Sequence, residues 1–236
     1  MQPTIVKFGD NGILFRWPEA FNEETHYEIL SLDAFLQKKY GDAINETVLA
    51  YTSLAAFLKE SLDTDEFIND FEWPQLDTVE VNLETVTYVV PVCYEPHFAM
   101  DLPRVAEHCG MKEEEVILLH TSVTYDVRFI GFLPGFPYLS GLDRRLYTPR
   151  IEEPRKFIEK GSVGIGGKQT GIYTMNSPGG WNIIGKCPLN LFDINNSPPS
   201  LFRPGDKLVF KAISMEEFER IGSLADRGNF EIKKLL

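Results

Sequence analysis

Residues 161–173 read GSVGIGGKQTGIY, and the fold turns on what these glycines are for. A phosphate-binding P-loop requires G-x-x-x-x-G-K-[ST] after a strand and before a helix. Gly161 and Gly166 have that spacing, but Gly167 intervenes before Lys168, and Gln169 stands where a Mg²⁺-binding hydroxyl belongs. Gly171, Pro178, Gly179 and Gly180 follow, and such a run cannot supply the helix N-terminus that cradles a phosphate. The glycines must serve another purpose.

Working outward, the whole region from Thr124 is β-rich and crowded with turns. Eleven of the 18 glycines lie between Gly131 and Gly185, with Pro134, Pro137, Pro149, Pro154 and Pro178 among them. Segments such as KLVFKAI follow turn signals such as Arg203-Pro204-Gly205-Asp206. Short strands at this spacing predict a closed barrel or sandwich. Three segments carry more glycine and proline than a plain barrel needs: 127–143, 161–173 and 176–188. Loops dense in glycine bend sharply and bring backbone amides close to a ligand, with Phe132, Phe136, Tyr138, Tyr173 and Trp181 as apolar walls. Between 144 and 168 seven cationic residues face three glutamates, an excess able to receive a carboxylate or phosphate. From the pattern alone, tight barrel turns flanked by solvated charges are an equal reading.

Upstream, Asp101 is placed to cap a helix with Pro103 in its first turn and Gly110 at its end. A second helix, KEEEVILLHTS, carries glutamates in its first turn, where the helix dipole favours them. The first 90 residues alternate short strands and helices. TIVKF and ILFRW flank a Gly9-Asp10-Asn11-Gly12 hairpin signal, and Asn22 caps a helix that Gly41 ends. ETVLAYTSLAAFLKE is β-like at its front and reads as either helix or strand at its back. Residues 64–72 form a short acidic helix and 79–90 are strand-rich. A sheet covered on one side by two helices is the simplest packing. A last helix starts at Ser214, with Glu217 completing a capping box.

The net charge of −12 is unevenly placed: the first 90 residues hold 17 acidic and 5 basic side chains, and the rest hold 18 of each. That asymmetry points to two units with different surfaces, and an acidic protein repels nucleic acid at every phosphate. No run approaches the roughly 20 apolar residues of a membrane helix. The opening MQPTIVKFGDNG lacks the basic and apolar regions of a signal peptide, so a cytoplasmic protein is expected. Cys93, Cys109 and Cys187 have no CxxC spacing and read as small buried hydrophobes in a reducing compartment.

Familiar catalytic devices are missing. Ser177 is not a nucleophile elbow, because Met175 stands where glycine is required. His26, His97, His108 and His120 show no zinc-ligand spacing, so no metal is expected. His120, at a helix end, suits either a structural ring meeting the last carbonyls or a general base. No lysine lies in the Met-Lys-Met setting of a biotin carrier.

The ordered blocks VRFIGFLPGFPYL, GSVGIGGKQTGIY and SPGGWNIIG, with DLPRVAEHCGMKEEEVILLHTS before them, resemble the B subunit of 5-oxoprolinase. That family also includes the histidine-kinase inhibitor KipI and proteins labelled allophanate hydrolase subunit 1. The resemblance is close over roughly residues 91–210 and only general before them. EPHFAMDL departs from the glycine-rich lead-in of the family, so that loop differs in shape.

The resemblance implies an α+β domain over 1–90, ferredoxin-like in order, and a cyclophilin-like β-barrel over 91–236. It resolves ETVLAYTSLAAFLKE as two strands. It implies a non-autonomous component that opens 5-oxo-L-proline to L-glutamate with two others, the paired-barrel C subunit of 5-oxoprolinase and its LamB/YcsF-like A component. ATP would be bound in a site shared with the partner. The family's other roles are inhibition of a sensor histidine kinase and the carboxyltransferase half of a biotin-dependent urea carboxylase-like enzyme. Residue type and motif position suggest His120, Gln169 and Ser177 for catalysis. Arg128, Phe132, Pro134, Gly135, Lys168, Thr170, Tyr173, Gly179, Gly180 and Trp181 would bind substrate, with Arg128 or Lys168 meeting the anion.

Overall fold

The Asn22 carboxamide accepts a hydrogen bond from the amide of Thr25 at 2.7 Å and starts the longest helix of the chain's computed structural model. The structure describes residues 3–18, 22–60, 62–76, 79 and 85–235. It falls into two compact units, residues 1–84 and 85–236.

In the first unit the hairpin β1 (Thr4–Phe8) and β2 (Gly12–Arg16) precedes α1 (Glu23–Tyr40). The stretch that read as helix or strand forms β3 (Ile44–Leu49) and β4 (Ser53–Leu58), and α2 (Thr64–Asn69) follows. The sheet runs β1-β2-β4-β3, antiparallel throughout. Ile13, Phe15, Leu54, Ala56 and Leu58 alternate inward along β2 and β4 and meet Ile29, Leu32 and Leu36 of α1. The order is not the ferredoxin-like one. There the strand beside β2 would follow α2, whereas here the amino-terminal hairpin supplies it. The strand-rich reading of 79–90 falls partly on residues 80–84, outside those described.

The second unit begins with β5 (Thr87–Cys93), which straddles the expected boundary at residue 90 because its strand partners all lie in the second unit. Then come α3 (Leu102–Cys109), α4 (Glu113–Thr121), β6 (Thr124–Ile130), β7 (Pro137–Ser140), β8 (Arg155–Ile158), β9 (Ser162–Gly166), β10 (Gln169–Ile172), β11 (Ser177–Gly179), β12 (Asn182–Lys186), β13 (Lys207–Ile213), α5 (Met215–Asp226) and β14 (Lys234–Leu235). Strands β12-β9-β10-β7-β6-β13-β5 close through the β12–β5 pairing into a seven-stranded mixed barrel, with β14 added along β5. Only β13 and β5 run parallel among these pairs. Side chains such as Val90, Val127, Leu139, Ile165 and Phe210 fill the barrel. The opening stretch is the β9–β10 hairpin, with no helix after it, which removes the P-loop reading.

A separate pair, β8 and β11, packs outside the barrel. Asp101 does not cap α3 with its side chain. Its carboxylate receives both terminal nitrogens of Arg155 at 2.7 and 2.8 Å and the amide of Ile183 at 2.7 Å, tying β8 to the barrel wall. No helix among the described residues is long and apolar enough to cross a membrane.

Candidate functional site

The three glycine-rich segments converge. Phe132, Phe136 and Tyr138 from the first, Tyr173 from the second and Pro178–Trp181 from the third line one cleft of about 260 Å³, with Arg150 and Pro154 from the β7–β8 connection. Its floor is an edge-to-face aromatic cluster. Phe136 meets Tyr173 at 5.4 Å and 83° and Trp181 at 5.5 Å and 79°, and Tyr138 meets Trp181 at 6.2 Å and 80°. Such arrangements set the positive ring edge against a negative face.

Here the glycines find their explanation. A Cβ on Gly166 would sit 2.5 Å from Trp181 Cδ1, and one on Gly179 would sit 2.7 Å from Ile158 Cδ1 and 3.0 Å from Tyr173 Cε1. Glycine in these strands lets indole and phenol rings lie against bare backbone. The loops were expected to bring amides to a ligand; instead they make room for rings. Phe132 adds strain: its φ is +67°, a left-handed conformation that is an outlier for a bulky side chain, and it stays 60% exposed while its ring meets Phe136 at 5.6 Å.

Among the described residues the one charge in this lining is Arg150, whose guanidinium carbon lies 5.8 Å from the Trp181 ring centre. Burial pushes the Tyr173 phenol up to about 12, against the lesser pull of a hydrogen bond from the Trp181 backbone and of the Arg150 charge. Burial also raises Tyr138. Both phenols are therefore protonated at neutral pH. A second cleft of about 140 Å³, lined by His97, Phe98, Met100 and Phe157 among others, has its cations engaged: Arg155 by Asp101 and Lys186 by Glu159. It offers an anion much less than the aromatic cleft does.

Of the residues suggested from sequence, Phe132, Tyr173, Gly179, Gly180 and Trp181 line the aromatic cleft, and the others do not. His120 is fully buried in the barrel unit. Its ring stacks on Phe210 at 4.6 Å, Nδ1 lies 2.8 Å from the Tyr94 hydroxyl and Nε2 lies 2.9 Å from Thr170 Oγ1. Thr170 donates its one hydroxyl proton to the Gly164 carbonyl at 3.0 Å, so Nε2–H donates to Thr170 and Nδ1 accepts from Tyr94. Burial drives this histidine down to about 3, so it is neutral and committed to the core. The helix-end role fails too, since the ring turns inward while the His120 carbonyl accepts from Tyr125.

Arg128 is 4% exposed and bound to Ser140 at 2.5 Å and Asp126 at 3.3 Å, with Lys207 also on Asp126. It is therefore already neutralised. Lys168 and half-buried Gln169 stand at the β9–β10 turn. Ser177 is buried on β11 with its hydroxyl unpartnered. Pro134 accepts from Thr174 at 2.7 Å, and Gly135 packs on Phe192. Arg150 is one of the seven cations counted between 144 and 168, with nothing in the sequence to single it out; its place beside Trp181 is a tertiary fact. Among the described residues no group of three or more His, Cys, Asp or Glu is arranged to hold a metal ion.

The chain is of the carboxyltransferase class: the family model "Carboxyltransferase domain, subdomain C and D" matches residues 3–202. Among curated relatives, the 5-oxoprolinase B subunit of Bacillus subtilis (strain 168) is 36% identical over 91% of this chain and 94% of its own length. The Haemophilus influenzae protein of the same name is 34% identical over 88% and 96%, and that of Escherichia coli O157:H7 is 47% identical over 58% and 62%. The chain belongs to the family of 5-oxoprolinase B subunits. Among solved structures, a conserved uncharacterized protein from Pyrococcus horikoshii is 37% identical with a TM-score of 0.56, over 91% of this chain and all of that one. The chain spans only 40% of TTHA0988 (31% identity, 86% of this chain, TM-score 0.74). It spans 24% of Kluyveromyces lactis urea carboxylase (21% identity, 99% of this chain, TM-score 0.78), a likeness of fold alone.

Proposed function

We propose that this chain is the B subunit of a cytoplasmic, heteromeric 5-oxoprolinase that opens 5-oxo-L-proline to L-glutamate with ATP hydrolysis, inactive until joined by its C and A partners. The observation that carries this reading is the pair of near-full-length relatives named as 5-oxoprolinase B subunits. The cleft is consistent with a shared active site. Among the described residues its lining holds apolar rings, two phenols and one guanidinium, with no nucleophile–base pair.

The cleft does not fit a nucleotide triphosphate by itself, because transferring a phosphoryl group requires several cations around the phosphates and Arg150 is a single one. ATP is accordingly assigned to a site completed by the partner protein, where it would supply the phosphoryl group that activates the lactam. This chain's contribution is to bind and orient the small substrate and to exclude water with the aromatic walls.

The test is co-expression with the C and A partners, followed by an assay for ATP-dependent glutamate release from 5-oxoproline. Release only from the full set supports the reading. No release from the full set, together with tight binding of this chain to a sensor histidine kinase, would replace it with the inhibitor role. Activity dependent on a biotin carrier would favour the carboxyltransferase half instead.

A further inference from the structure

An aromatic box with a single charge at its edge selects its ligand by chemistry. Building on the oxoprolinase reading, we propose that Arg150 is the receptor for the carboxylate of a small cyclic acid whose ring packs in the aromatic cleft, making it the specificity residue of this site.

The charge is available. Arg128, Arg145 and Arg155 each hold an aspartate, and Lys186 holds a glutamate. No carboxylate among the described residues pairs with Arg150, and its guanidinium leans on the Trp181 ring. A guanidinium held over an indole by a cation–π contact engages the ring without using its N–H donors on another acceptor, so the fork can bind a carboxylate bidentately.

The walls match the rest of the ligand. About 260 Å³ lies below the range typical of drug-sized pockets, so a single small ring is the natural occupant. Phe132 stands at the mouth in a strained left-handed conformation with its ring exposed, and such strain clusters at ligand clamps. Tyr138 and Tyr173 stay protonated, so no negative charge in the lining competes with the ligand's. Among the described residues the lining contains no aspartate or glutamate to receive an ammonium. A cyclic acid without a free amine is therefore preferred over the open amino acid that its hydrolysis yields, whose ammonium would be left unpaired. Ring opening thus creates a product the cleft holds poorly.

The test compares wild type, Arg150→Gln and Arg150→Lys in the reconstituted complex. Arg150→Gln should raise KM for 5-oxoproline about ten- to a hundredfold, the loss of a charge-assisted hydrogen-bond pair, with kcat little changed. Arg150→Lys should recover part of that loss. The carboxamide of 5-oxoproline, used as a competitive inhibitor, should bind wild type and Arg150→Gln equally, because it has no carboxylate to lose. An unchanged KM in an active Arg150→Gln complex overturns the proposal and leaves the oxoprolinase reading standing. A carboxamide weakened as much as the acid overturns it as well. If no variant releases glutamate, the oxoprolinase reading fails instead, and 5-oxoproline titrated into the full chain by saturation-transfer NMR decides the proposal. A signal lost in Arg150→Gln and kept in Arg150→Lys upholds it; no signal with wild type overturns it.

Discussion

Replacing Gly166 with alanine should unlock the barrel from its aromatic cluster. The new methyl would lie 2.5 Å from Trp181 Cδ1 and 2.6 Å from Cε2, against a carbon–carbon optimum of about 3.5–4.0 Å, so the ring must retreat by roughly 1 Å. It has nowhere to go. Trp181 is 5% exposed and backed by Phe136 and Tyr138, while β9 is held between β10 and β12. Overpacking of this kind costs about 2–3 kcal/mol, and the entropy that alanine removes from the unfolded chain returns about 0.4–1 kcal/mol. The net loss is about 1–2.5 kcal/mol, or roughly 2–10 °C in the barrel's melting transition.

Differential scanning calorimetry of the full chain reads this directly. Gly180→Ala is the control: its Cβ meets nothing closer than 3.6 Å, so the transition should hold or rise slightly. Trp181→Ala alone should cost about 3–5 kcal/mol. In the double variant the methyl enters vacated space, so the two losses should sum to about 1–3 kcal/mol less than additivity. An unshifted Gly166→Ala transition, or strict additivity in the pair, would refute the idea that this glycine exists to seat the indole.

Three further outcomes are expected. His120 takes up its proton near 6.5 when unfolded but only near 3 when folded. The unfolded chain therefore binds the extra proton between those values, and barrel stability should fall as pH drops from 6.5, by up to about 1.4 kcal/mol per unit. Urea midpoints at stepped pH should show that slope flattened in His120→Gln, which is less stable at pH 7. At the Asp101–Arg155 pair, Arg155→Met strands a carboxylate that is 8% exposed and should cost about 3–5 kcal/mol. Asp101→Asn leaves a better-hydrated guanidinium and should cost about 1–3 kcal/mol in the same denaturation assay. Under native iodoacetamide, half-buried Cys109 should alkylate first. Burial raises both Cys93 and Cys187, the latter to about 12, so mass spectrometry should find these two modified only after unfolding.

The legible parts of this protein are those governed by short-range rules. The amino-terminal hairpin, the Asn22 cap, the helices after Asp101 and Lys112, and the Ser214 start, whose hydroxyl accepts from the Glu217 backbone amide, all lie where local signals put them. The glycine-, proline- and aromatic-rich composition of the three segments was also readable, but the pattern left a binding site and plain barrel turns equally open, and their convergence on one cleft is seen only in the fold. What failed to read were partners far apart along the chain. His120 looked like a titratable group at a helix end, yet Tyr94 and Thr170 close both its ring nitrogens inside the core. Asp101 looked like a cap, yet Arg155, 54 residues away, claims its carboxylate. The sheet order of the first unit likewise depends on which strand reaches the open edge, a competition that no local window records.

From sequence alone come the two-part chain, the turn-rich β architecture of its second half and its membership of a family, because composition, caps and motif order are properties of neighbouring residues. Tertiary structure alone decides which arginines are paired. Arg128 and Arg150 are the same residue type in similar company, but folding sets one beside Asp126 and the other over Trp181. A charge is neutralised or left available only by what the packed chain brings within a few ångströms of it.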